Sequence, residues 1–317
     1  MNLLDRRSFL AGCGAALALG TPLSAQTSPK LVIDAYSRHL QWLRTADEVA
    51  EAALEMGYQG LDITVRPHPG HVAPDRVAQD LPPFVNTVRK HALKVNCIAL
   101  TNIQDATAPN LEQILKAASE LGIRYYWGLG TYRYEAGKPI SEQWEAIKPR
   151  LAKIAALNAK YGMTGLYHTY SGNSFGAGMW DLLQVLQNFD PAQLAIHYDL
   201  GLMTNAGGNG TWMPALRAAA RYIKAVSVKD SILERNPDGA MRVRYTPLGE
   251  GNVQLNPFAA ILKEIQFSGP IEIQAEYPNG GAEDAKEKIT LPRAQVLGAM
   301  KKDRELLQKA LAAVGLI

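Results

Sequence analysis

The chain has 317 residues, 47% of them hydrophobic and 20% charged, which is enough apolar content for a large core. Its 33 basic and 30 acidic residues leave a net charge of +3 with no long basic block. That balance argues against a nucleic-acid partner.

Residues 1–25 read as a targeting segment. Arg6-Arg7-Ser8-Phe9-Leu10 is a twin-arginine signature, an uncharged apolar run follows from Phe9 to Gly20, and Thr21–Ala25 resembles a cleavage site. The run is too short to span a bilayer, which needs about 20 apolar residues. Leu10-Ala11-Gly12-Cys13 also looks like a lipoprotein box, but Cys13 precedes most of the apolar run. The expectation is export to the periplasm by the twin-arginine route, no membrane anchor after cleavage, and one domain over 26–317. Cys97 is then the only cysteine of the mature chain, so an internal disulfide is excluded. It lies in the apolar run Val95–Leu100 and reads as a small buried hydrophobe.

From there, strand-like and helix-like segments alternate. Leu31–Tyr36 reads as a strand, and Thr45–Met56 as a helix with a Thr45-x-x-Glu48 capping box and Gly57 as its stop. Gly60–Val65 is a second strand, followed by a Pro/Gly/His loop (Arg66–Pro74) and a helix from Leu81 to His91. Lys94–Leu100, Arg124–Gly130, Met163–Tyr170, Leu194–Leu200 and Ile223–Lys229 continue the strand series. Helices are predicted at Leu111–Leu121, Ser141–Tyr161, Met179–Asn188, Pro214–Arg221 and Pro257–Ile265. Asn205–Gly210 reads as a Gly/Asn-rich loop and Asp230–Gly251 as a long polar loop. The eighth strand opens Gly269–Glu283, and a final helix spans Leu291–Val314.

Eight β-then-α units predict an α/β fold, a single (β/α)8 TIM barrel. A doubly wound sheet is the competitor, but no strand is followed by a dinucleotide-binding glycine fingerprint. In a barrel, alternation assigns side chains to the lumen. One face of each strand then carries Asp62, Thr64 and Arg66; His168 and Tyr170; His197 and Asp199; Ser227 and Lys229; Glu272, Gln274 and Glu276. His168, Asp199 and Glu276 end their strands on that face. An imidazole with two carboxylates suits a divalent cation such as Mn²⁺, Zn²⁺ or Co²⁺, and equally suits metal-free acid–base work. Lys229 is read as pairing with a carboxylate or stabilising an oxyanion. Tyrosines and tryptophans at strand ends suit a sugar, whose C–H faces stack on rings. Arg66, His71, Tyr170, Trp212 and Tyr277 are the candidates for substrate contacts.

These segments resemble the sugar phosphate isomerase/epimerase family, the xylose-isomerase-like TIM barrels, over essentially the whole mature chain. The resemblance is carried by Leu61–Pro67 with Gly70-His71-Val72, by Tyr170–Gly176, Tyr198-Asp199, Val228-Lys229-Asp230, Pro247–Gly251, and Glu276-Tyr277 with Gly280–Glu283. It implies one divalent metal held by Glu, Asp, His and Glu at the ends of strands five to eight. By position these become His168, Asp199, Ser227 and Glu276, so one acid is exchanged for histidine and one ligand is lost to serine.

A symmetric two-glutamate epimerisation is therefore not supported, and a one-base proton abstraction or an elimination fits better. The expected function is an isomerase- or epimerase-like enzyme acting on an unphosphorylated sugar or keto-sugar. Glu276 is its base, His168 a shuttle or ligand, and Lys229 or a metal the enediolate stabiliser. A lyase or hydrolase of 3-keto-glycosides and an inactive sugar-binding barrel are the alternatives. The DNA-repair branch of the superfamily is disfavoured by the missing ligands, the balanced charge and the export signal.

Overall fold

In the computed structural model, which describes residues 30–317, the predicted strands close into a parallel barrel. The strands are β1 (Ile33–Tyr36), β2 (Gly60–Thr64), β3 (Cys97–Ile103), β4 (Tyr125–Leu129), β5 (Thr164–His168), β6 (Leu194–Asp199) and β7 (Ile223–Val228). An antiparallel hairpin, β8 (Asp230–Arg235) and β9 (Met241–Thr246), separates β7 from the closing strand β10 (Ile271–Ile273). The predicted leader, residues 1–25, lies outside the described residues.

Helices α1 (Ala46–Glu55), α2 (Val77–Lys90), α3 (Leu111–Glu120), α4 (Ile140–Tyr161) and α5 (Trp180–Leu186) follow β1 to β5 in turn. After β6 come α6 (Leu200–Gly207) and α7 (Asn209–Ala218), and α8 (Leu255–Glu264) and α9 (Arg293–Ala313) flank β10. The capping box forms as expected: Glu48 N donates to Thr45 Oγ1 at 3.2 Å, and Thr45 N to Glu48 Oε2 at 2.9 Å.

The strands' outward side chains make the main core. Leu61, Ile63, Ile196, Tyr198, Val226, Val228, Ile271 and Ile273 are all buried in one cluster with the apolar faces of the helices. Each such aliphatic side chain stabilises the fold by roughly 1.5–3 kcal/mol. Cys97 is buried in a second, luminal cluster with Tyr36, Trp127 and Leu166, as its apolar surroundings predict.

Three segments depart from the sequence reading. The polar loop at 230–251 contains the β8–β9 hairpin, because Glu234 on one strand holds Arg242 (2.6 Å) and Arg244 (2.9 Å) on the other. The Gly/Asn-rich stretch is helical, α6 and α7 meeting at Gly208. Helix α2 begins at Val77 and carries Pro82 and Pro83 within it, with a short 3-10 turn at Pro74–Arg76 leading in.

The barrel's stagger places the polar groups. Asp34 pairs in register with Glu272, Glu272 with Ser227, and Ser227 with Asp199. Because strands tilt across a closed barrel, such a row climbs along its axis. Asp34 is the second residue of β1, near the N-terminal end, whereas Asp199 is the last residue of β6, at the mouth.

Candidate active site

A cavity of about 430 Å³ opens at the C-terminal end of the barrel, within the range of small-ligand pockets. Arg66, Trp127, His168, Tyr170, Lys229 and Glu276 are among its lining residues. A larger cavity of about 600 Å³ lies at the opposite end, beside Arg124, Asp190, Arg221 and Lys224, and includes none of the convergent luminal groups. The mouth is therefore the candidate site, as the fold class favours.

Lys229 is its centre. Its ammonium lies 3.1 Å from Asp199 Oδ2 and 3.2 Å from Glu276 Oε2, and it donates to Gln274 Oε1 at 2.8 Å. The three N–H groups of an ammonium are thus matched by three acceptors. The lysine side chain is only 5% exposed. Burial disfavours its charge, but the Asp199 and Glu276 carboxylates hold its pKa above the ordinary lysine value. It is a permanent cation at neutral pH, which rules out the free amine that a Schiff-base lysine needs.

Asp199 is the N-cap of α6. Its Oδ1 accepts from Leu202 N at 2.8 Å, where the helix dipole also favours an anion. Oδ2 accepts from Ser227 Oγ at 3.0 Å and lies 3.4 Å from His168 Nε2. Burial pushes this carboxyl up, yet the Lys229 ammonium and then His168 hold it well below the usual carboxylate range. Glu276 is shifted the same way: burial raises it, and Lys229 more than reverses that. Glu276 is also a quarter exposed, while Asp199 is fully buried.

The floor beneath is acidic, with no lysine or arginine among the described residues within ion-pair distance of its carboxyls; Arg66 and Lys94 act on it only from farther off. Asp62 accepts from Trp127 Nε1 at 2.8 Å, and Glu272 accepts from Gln274 Nε2 at 2.5 Å. Burial, reinforced by Asp62, pushes Glu272 well above its ordinary value, and burial raises Asp34 likewise. The pair holds a proton on Glu272 at pH values where an isolated glutamate has lost it. His197 is buried against this layer, 3.7 Å from Glu272, and burial keeps it neutral.

Of the residues singled out in the sequence, His168, Asp199, Lys229 and Glu276 meet at the mouth, and Arg66 and Tyr170 line the cavity. Arg66 donates to Tyr36 Oη at 2.6 Å, with its guanidinium 5.7 Å from that ring's centroid. Three candidates for substrate contact do not reach the cavity. Trp212 is fully buried with its ring beside Phe258 of α8, because the predicted loop is helix α7. Tyr277 follows Glu276 and so faces outward, donating to Asp303 Oδ2 on α9 at 2.7 Å. His71 is bonded to Gln41 Nε2 (2.8 Å) and the Leu43 carbonyl (3.1 Å) behind β2, and burial lowers its pKa to about 4. In their place Tyr36, Trp127 and Tyr245 line the mouth. Tyr245 arrives on β9, its ring 5.5 Å from the Lys229 nitrogen. Its alternation with Val243 was the available signal.

The expected metal does not fit this arrangement. Zinc bound by these donors stands about 2.0–2.2 Å from each. The ammonium already bridges the two carboxylates that such an ion requires, and two cations cannot share that pair of oxygens. Ser227 stands where an imidazole would be needed, spending its hydroxyl on Asp199. Among the described residues, no three His, Cys, Asp or Glu side chains are grouped to hold a metal ion.

No curated protein matches the chain. Among solved structures, it is similar to the IolI protein with a bound zinc atom, at 14% identity over 88% of this chain and 99% of that one, with a TM-score of 0.68. The 3-keto-D-glucoside 4-epimerase YcjR from E. coli is 13% identical, over 87% and 100% of the two chains, with a TM-score of 0.62. D-Psicose 3-epimerase from Clostridium cellulolyticum with D-tagatose is 10% identical, over 89% and 99%, with a TM-score of 0.65. At these identities the likeness is one of fold. Residues 50–295 match the model of one family, and on that match the chain belongs to the xylose isomerase-like TIM barrel family.

Proposed function

We propose that this barrel is an isomerase- or epimerase-like enzyme that removes a proton next to the carbonyl of an unphosphorylated keto-sugar. The observation that carries the reading is Glu276, an ionised and partly exposed carboxylate at the cavity mouth, 3.2 Å from a buried ammonium. Asp199 is unsuited to the same task, since both of its oxygens are engaged and buried. The sugars for which the two epimerases are named support the substrate class by analogy of fold.

The steps follow from charge. As the α C–H bond breaks, its proton passes to a Glu276 oxygen and its electron pair moves to the carbonyl oxygen, giving an enolate. Glu276 thereby loses its charge and its hold on Lys229. The N–H released is then available to the enolate oxygen, a contact stronger in the transition state than in the ground state. His168, whose Nε2 lies 3.4 Å from Asp199 Oδ2, is the candidate to return a proton. Return to the opposite face gives an epimer, and loss of a β-substituent from the enolate gives elimination. No step requires a metal. The Arg6-Arg7 leader is part of the proposal, because a periplasmic enzyme meets few sugar phosphates.

The test uses Glu276→Gln, which keeps the shape but cannot accept the proton. Solvent-deuterium exchange at the α-carbon of 3-keto-glucosides and ketohexoses should fall by roughly 10²–10⁴-fold. Exchange at the parent rate would remove Glu276 from the mechanism.

A further inference from the structure

Asp199, Glu276 and Gln274 direct oxygens toward one point, and a side-chain nitrogen stands there. The fit is built rather than incidental. Lys229 follows β7, and the first turn of α6 passes directly over it. A Cβ at Gly201 would lie 2.6 Å from the Lys229 carbonyl oxygen and 2.7 Å from its Cγ, so only glycine permits this approach. The Tyr245 ring faces the nitrogen from the hairpin, adding cation–π attraction. Ser227 completes the arrangement: it gives Asp199 a hydrogen bond without adding a metal ligand.

We propose that Lys229 is the resident cation of this barrel, its ammonium occupying the point where a divalent ion would bridge Asp199 and Glu276. The protein therefore binds no divalent metal at its mouth, and removing the amine frees the Asp199, Gln274 and Glu276 oxygens, with His168 beside them, for a divalent ion. This inference concerns cation occupancy alone and holds whichever reaction the barrel performs.

The probe is Co²⁺, followed by calorimetry and by the visible absorption of protein-bound cobalt, with Zn²⁺ as a second titrant. Chelator-treated parent protein should show no site that His168→Ala abolishes. Lys229→Ala should gain one equivalent, bound at least about 100-fold more tightly than by the parent, because the ammonium that fills the point between the two carboxylates has gone. That gain should vanish in Lys229→Ala/His168→Ala. A parent protein that binds one equivalent of Co²⁺ and loses it in His168→Ala overturns the proposal, as does a folded Lys229→Ala that gains none. If Lys229→Ala fails to fold, the parent and His168→Ala titrations decide alone. None of these readings depends on turnover, so they stand apart from the Glu276 exchange experiment.

Discussion

The barrel holds two acidic layers, and they solve the same problem in opposite ways. At the mouth, Asp199 and Glu276 remain ionised because a buried ammonium lies about one hydrogen bond from each. On the floor, no lysine or arginine among the described residues lies within ion-pair distance of Asp34, Asp62 or Glu272; Lys94 and Arg66 act on Asp34 and Asp62 only from farther off, and burial shifts all three carboxyls upward. A buried carboxylate without a counter-charge is costly, so the floor retains protons instead. Depth alone therefore does not set charge state: Asp199 and Asp34 are both fully buried and shift in opposite directions. A base is useful only where it is ionised and reachable, and that condition is met at Glu276.

The largest effect should come from breaking the mouth's compensation. Lys229→Met leaves two carboxylates unpaired and should destabilise the protein by about 3–5 kcal/mol at neutral pH, measured by urea unfolding. The sign with pH follows from the lowered carboxyls. Their contribution is present above the unfolded-state value of about 4 and is lost as pH falls through the folded one. The deficit of the variant should therefore shrink under acid conditions.

A smaller effect tests how closely the floor is packed. A Cβ at Gly60 would lie 1.9 Å from Asp34 Oδ1, so Gly60→Ala should cost about 1–3 kcal/mol, and most of that loss should disappear in an Asp34→Ala background. An undiminished loss would mean that the two residues do not meet.

Asp34→Asn should act in the opposite direction to Lys229→Met. The folded-state pKa of Asp34 is raised, so the contribution of this one group is fully present below its unfolded-state value and is lost as pH rises toward the folded one. The asparagine variant escapes that loss. Its advantage should grow by about 1.4 kcal/mol per pH unit across the window, seen by comparing melts at pH 4 and pH 7.

Much of the mouth was legible because alternation is strict inside a barrel. Counting in twos from Glu272 reaches Gln274 and Glu276, and from His197 reaches Asp199. The same rule, carried one residue further, excludes Tyr277. Asp34 escaped notice because a single aspartate in an apolar strand carries no pattern; only the register with Glu272 and Gly60 shows where it points. His71 and Trp212 were misplaced because loop and helix assignments, not strand parity, located them. Tyr245 was missed because local alternation in a polar stretch does not reveal that a hairpin folds back over the mouth. The bridging role of Lys229 depends on distances across three strands, which no spacing in the chain encodes.

The most direct measurement follows the side-chain carboxyl carbons of Glu276 and Glu272 by carbon-13 NMR as pH is varied, each assigned by its glutamine variant. The account predicts that Glu276 titrates below the ordinary glutamate value of about 4.3 and Glu272 well above it. If the two titrate together near that value, or if Glu272 ionises first, the contrast between a charged mouth and a protonated floor is wrong.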